Sequence, residues 1–160
     1  MRILNCKILK DKKWRGYIAS MRNYFYGVKV QLLTTEDGIP IAFHFTPGKV
    51  ADAKALGKMI DKLPSEASIY GDSAYLDYGL EDFAREQKCI LLKIQRKSNS
   101  KRIDTLEQKN EKLKMRKRVE TTISDIKKLF PRTIHAVTLE GFLIKLTLFV
   151  FGLQLNKSIN

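Results

Sequence analysis

The chain predicts an α/β fold built on a mixed sheet with flanking helices. Three observations carry that prediction. A β-hairpin pattern spans residues 28–45, strand and helix patterns alternate after it, and two long helical stretches close the chain. The 160 residues amount to one domain, 1–160, and the 44% apolar share is ordinary for a chain with a packed core.

Residues 1–23 are basic and weakly periodic, with a short strand expected at Ile3–Leu9. In VKVQLL, Val28, Val30 and Leu32 alternate with polar residues, the period of a half-buried strand. Asp37-Gly38 supplies a turn signal, and Ile39, Ile41, Phe43 and Phe45 share a face of the returning strand. Pro40 fits only near that strand's start or on an edge. VADAKALGKMIDKL (50–63) reads as a helix stopped by Pro64. SIYGD (68–72) reads as a strand, GLEDFAREQK (79–88) as a helix, and CILLKI (89–94) as a buried strand. A basic loop at 95–104 contains QRKSNSKR. A long helix over 105–130 ends at Pro131, and a last one covers 139–156. Its apolar core, Phe142–Leu155, is too short to span a bilayer and contains Lys145, so a buried core helix is expected.

Thirty Lys and Arg against seventeen Asp and Glu give a net charge of +13. That excess favours a polyanionic partner, nucleic acid before an anionic membrane. Cys6 and Cys89 have no Cys or His at metal-ligand spacing, which argues against structural zinc and a disulfide framework. The N-terminus has no apolar signal-peptide core, and a cytoplasmic location is expected.

Two stretches invite a chemical reading. In YGDSAY (70–75), Asp72 stands where a strand meets a loop. Turn chemistry explains a Gly-Asp-Ser exit well, and a metal-binding carboxylate on a rigid strand end is the rival reading. In LKMRKRVETTISDIKK, helical periodicity puts Arg116, Glu120 and Lys127 within about 40° of one another. They form a polar stripe beside the apolar stripe of Val119, Ile123, Ile126 and Phe130, expected at the sheet's edge rather than out in solvent. By spacing alone, an exposed Arg116–Glu120 ion pair is the favoured explanation.

Arg116-x3-Glu120-x6-Lys127 resembles the third-carboxylate helix of the DDE transposases of bacterial insertion sequences, with Leu113 where that family has Tyr. The hairpin segment 24–56, YGDSAY, RKSNSKR, FPRTIHAVT and GFLIKLTLF resemble further segments of the same domain in the same order, over about residues 14–155. The resemblance implies a ribonuclease-H-like fold and metal-dependent DNA strand cleavage and transfer. It implies Asp72 and Glu120 as catalytic carboxylates and ligands of a divalent metal, Mg²⁺. Arg116 and Lys127 would face DNA phosphates, and Lys93, Arg96, Lys97, Lys101 and Arg102 would add backbone contacts. The family's first Asp has no counterpart here. Asp11 lies in a basic irregular stretch and Asp52 at a helix start, where a carboxylate serves as a cap. The expectation is therefore a catalytic domain without its first strand, inactive as residues 1–160. The alternative is a non-catalytic, basic DNA-binding remnant that modulates an intact transposase. Expected partners are insertion-sequence ends and target duplex, with a homodimer or pairing with intact transposase, and no membrane. The expected setting is the bacterial cytoplasm, close to the nucleoid. An RNA-binding protein is disfavoured, since no RRM or KH signature is present.

Overall fold

The computed structural model describes residues 2–4, 8–18, 21–129, 131 and 134–159. Its strands are β1 (Arg2–Leu4), β2 (Arg15–Ile18), β3 (Asn23–Thr34), β4 (Pro40–Pro47), β5 (Ser68–Gly71) and β6 (Leu91–Ile94). Its helices are α1 (Asp52–Ile60), α2 (Tyr78–Lys88), α3 (Leu106–Leu129) and α4 (Leu139–Ile159). The chain divides into two compact units, residues 1–50 with 122–160, and residues 51–121.

The first unit is built on β3. This strand pairs antiparallel with β4 in the register Val28↔Pro47 to Leu33↔Ala42, with β2 over Asn23–Tyr26 and with β1 over Gly27–Lys29. The hairpin turn is the expected one. Gly38 sits at φ 83, and Gly38 N donates to Thr35 O at 3.0 Å. Pro40 opens β4, where its missing N–H costs least. On β3 the alternation holds through Val28 and Val30 and breaks at Gln31, which is buried while Leu32 is only half-buried; on β4 it fails at Ile41, which faces solvent. Leu9, Trp14, Val28, Val30, Phe142 and Leu146 form the core. The expected strand at Ile3–Leu9 is β1 alone: a turn stands at Ile8, and residues 5–7 lie outside the described part. The strand that sequence reading missed is β2, too short at four residues to show a period.

The last helix is only half buried, which corrects the expectation of a core helix. Phe142, Leu146, Val150 and Leu153 turn inward, while Ile144, Leu148 and Leu155 are exposed. It is also longer than its apolar centre. At 21 residues it is long and apolar enough, by length and composition only, to cross a membrane, and no membrane is in the structure.

The second unit is built on β5 and β6, which run parallel with Ser68↔Leu91 to Gly71↔Ile94. Ile69, Leu92 and Ile94 are buried with Leu56, Met59 and Ile60 of α1 and Ala84 of α2. Asp77 caps α2 by accepting from Leu80 N at 3.1 Å, and Cys89 ends it in the left-handed conformation, φ 53. One mixed sheet was expected. Among the described residues the strands form two sheets, an antiparallel one of four strands and a parallel pair. The reason is pairing: no described strand hydrogen-bonds to both β3 and β5.

Candidate functional site

The second unit carries every residue that the sequence marks for chemistry except Lys127, which belongs to the first. Asp72 follows the last residue of β5. Its carboxylate accepts from Ala74 N at 2.9 Å and caps the 3-10 turn Ser73–Tyr75, so the turn chemistry is present. It is nonetheless exposed, with one side of the carboxylate turned to that cap. Gly71 lets the strand end close tightly: a Cβ there would stand 2.9 Å from Ile94 Cδ1 and 3.4 Å from the Tyr75 ring. Burial pushes the Tyr75 phenol well above its usual range, and the charges of Asp52 and Asp72 push it in the same direction.

Glu120 accepts from Arg116 Nε at 2.9 Å, the i,i+4 pair expected from spacing. Both side chains are more than half exposed, which corrects the expectation that the stripe would avoid solvent. The pair is not isolated. Arg116 Nη1 reaches Gln95 Oε1 at 3.5 Å, and Gln95 N donates to Gly71 O at 2.9 Å. A run of hydrogen bonds thus leads from the residue before Asp72, through the end of β6, to Arg116 and Glu120. The C-terminal end of a parallel pair is where α/β folds characteristically place ligand-binding groups. Gln95 was not among the expected residues, and nothing in its own sequence context marks it. Lys127 lies on α3, and its side chain lies outside the described part.

The basic loop divides into two classes of cation. Arg96 is held by the buried Glu81 in a bidentate pair at 2.6 and 2.9 Å, with Asp104 3.6 Å away. Arg102 bonds Glu81 at 3.3 Å and Asp82 at 2.7 Å. Lys112, itself nearly buried, bonds both oxygens of Asp104 and the carbonyl of Ile94. Lys93 bonds Glu111 at 2.8 Å and the Tyr70 hydroxyl at 3.0 Å. These partners raise the pKa of Lys93 and Arg96, and Lys93 with Tyr70 holds the Glu111 carboxyl below its usual range. Tyr78 completes the anchor, with its hydroxyl 2.5 Å from Ser100 Oγ and accepting from Lys101 N at 3.0 Å. Lys97 and Lys101 are left exposed at the loop's turn. Sequence reading treated these five cations alike, because the acids that engage three of them come from α2 and α3, remote in sequence.

The donors fit a hard divalent cation in kind, since carboxylate oxygens are its preferred ligands. They fall short in number, for no three acidic, His or Cys side chains gather to hold an ion among the described residues. A family model described as the transposase DDE domain matches residues 3–151. Neither the curated proteins nor the solved structures give a match to the chain.

Proposed function

From the chain's membership of the DDE transposase family, which acts on DNA with a divalent metal, we propose that residues 1–160 are the catalytic-domain portion of an insertion-sequence transposase of ribonuclease-H-like fold. The observation that carries this reading is the hydrogen-bonded run from Gly71 through Gln95 and Arg116 to Glu120. It supports reading the strand-end Asp72 and the helix-borne Glu120 as members of one site. Asp72 and Glu120 would hold the cation, Mg²⁺. When bound, it supplies an activated oxygen nucleophile and charge neutralisation at the phosphodiester. Arg116 orients Glu120 through Nε and presents the rest of its guanidinium to phosphate. Lys97 and Lys101 meet the DNA backbone from the anchored loop, and Lys127 adds a further contact from α3.

Two carboxylates position a metal poorly, and small misplacements of reacting groups cost about a hundredfold in rate. Residues 1–160 alone are therefore expected to bind DNA and to cleave it little, which also supports the second reading of a basic DNA-binding protein that pairs with an intact transposase. Nicking of terminal-repeat DNA with Mg²⁺ or Mn²⁺ tests this. The site reading requires that Mn²⁺ strengthen DNA binding and that Asp72→Ala or Glu120→Ala remove that effect. Equal metal response in both variants and the parent would overturn the assignment of these two carboxylates.

A further inference from the structure

The β2–β3 hairpin has an inner and an outer face of opposite character. Inward, Ile18 and Phe25 are buried, and Gly16 leaves room for the Phe25 ring, which a Cβ at Gly16 would meet at 2.4 Å. Gly48 backs the same spot, since a Cβ there would stand 2.4 Å from the carbonyl oxygen of Trp14. This seating fixes the ribbon. Outward, where strand alternation ordinarily puts small polar side chains, stand Arg15, Tyr17, Tyr24 and Tyr26. Tyr17 faces Tyr24 and Arg15 faces Tyr26 across the pair. The Tyr17 and Tyr24 rings are 51% and 56% exposed, with centroids 5.0 Å apart. The Arg15 guanidinium lies over Tyr24, 3.9 Å from the ring centroid.

The sequence around this hairpin is one-sided in charge. Residues 1–29 carry eight Lys or Arg and one acid, Asp11, which pairs with Lys13 at 3.7 Å. Lys10, Lys12, Lys13 and Arg22 are all exposed. Aromatic rings with a stacked guanidinium on a fixed sheet, in a segment rich in exposed cations, match the chemistry that binds unpaired nucleotides: bases stack on the rings while cations meet phosphates. A duplex does not offer that contact, because its base faces are already stacked on one another.

We propose that the outer face of this hairpin, centred on Tyr17, Tyr24 and Arg15, is a stacking platform for single-stranded DNA. It goes beyond the reading of Asp72 and Glu120, whose loss leaves it intact. A purely structural role predicts something else: cross-strand aromatic pairs stabilise the sheet and contribute nothing to DNA binding. The test uses the full chain with short oligo(dT) and a duplex of equal length. Oligo(dT) should quench tyrosine emission of the unaltered protein on saturation. Tyr17→Thr with Tyr24→Thr should weaken oligo(dT) binding about tenfold or more and leave duplex binding nearly unchanged. Tyr17→Phe with Tyr24→Phe, which keeps both rings, should bind like the parent. Absence of quenching, unchanged oligo(dT) affinity in the Thr variant, an equal loss for duplex, or an equal loss in the Phe variant would each overturn the proposal.

Discussion

Glu81 shows how one side chain decides what its neighbours do. It is 4% exposed and bonds both nitrogens of the Arg96 fork and one of Arg102. Removing Glu81 strips the largely buried Arg96 fork of both its short bonds and leaves it only Asp104, 3.6 Å away. Glu81→Ala is therefore expected to destabilise the second unit by about 3 kcal/mol or more, read by denaturant unfolding. Arg116 lies at the other extreme. Its pair with Glu120 is exposed and contributes only a few tenths of a kcal/mol. Arg116→Gln should leave stability unchanged within error and weaken metal-stimulated DNA binding. A large loss of stability would make it a structural residue instead.

At the scale of elements, the loop at 95–104 is held by Glu81 and Asp82 of α2 and by Lys112 of α3, while Glu111 of α3 holds Lys93 in the strand that leads into it. Lys93 holds the Glu111 carboxyl below its usual range, and Arg102 does the same for Asp82. A carboxylate with a lowered folded-state pKa binds fewer protons folded than unfolded. Its stabilisation is present above the ordinary carboxylate value, about 4, and is lost as pH falls through the depressed one. Amide exchange in this loop is thus expected to be flat from neutral pH down to that ordinary value, after correction for intrinsic rates, and to accelerate below it. Glu111→Gln should remove part of the acid transition. The β3–β4 turn is a second such element. Gly38 has a positive φ, and a Cβ there would stand 2.8 Å from Thr122 Oγ1. Gly38→Ala should cost more than the roughly 1 kcal/mol that a compatible Gly→Ala change gains, seen as a lower Tm.

For the molecule as a whole, the +13 charge overstates the cations that can meet DNA, because Lys93, Arg96 and Arg102 already face carboxylates. Duplex affinity should fall steeply with salt, and the slope of log K against log salt should decrease by about 0.9 for each phosphate contact removed. Lys97→Ala and Lys101→Ala should each lower it by that amount. Salt titrations that show no change in either variant would place the footprint elsewhere.

The sequence by itself determined most elements of this chain: the hairpin with its Asp37-Gly38 turn, α1, α2, β5, β6 and two long helices. Each is written in local periodicity and turn chemistry, which act over a few residues. It also carried the family, through motifs in matching order over most of the chain. Tertiary structure alone decided which strands pair, so that the described strands form two sheets where one was expected, and that α4 buries one stripe and exposes another. It decided too that Gln95 links the end of β5 to Arg116, that Glu81, Asp82 and Glu111 engage three of the five loop and strand cations, and that three tyrosines and Arg15 share one face of a hairpin too short to read. Strand pairing, ion pairing and burial depend on groups far apart in sequence, and no local pattern encodes which distant partner will arrive.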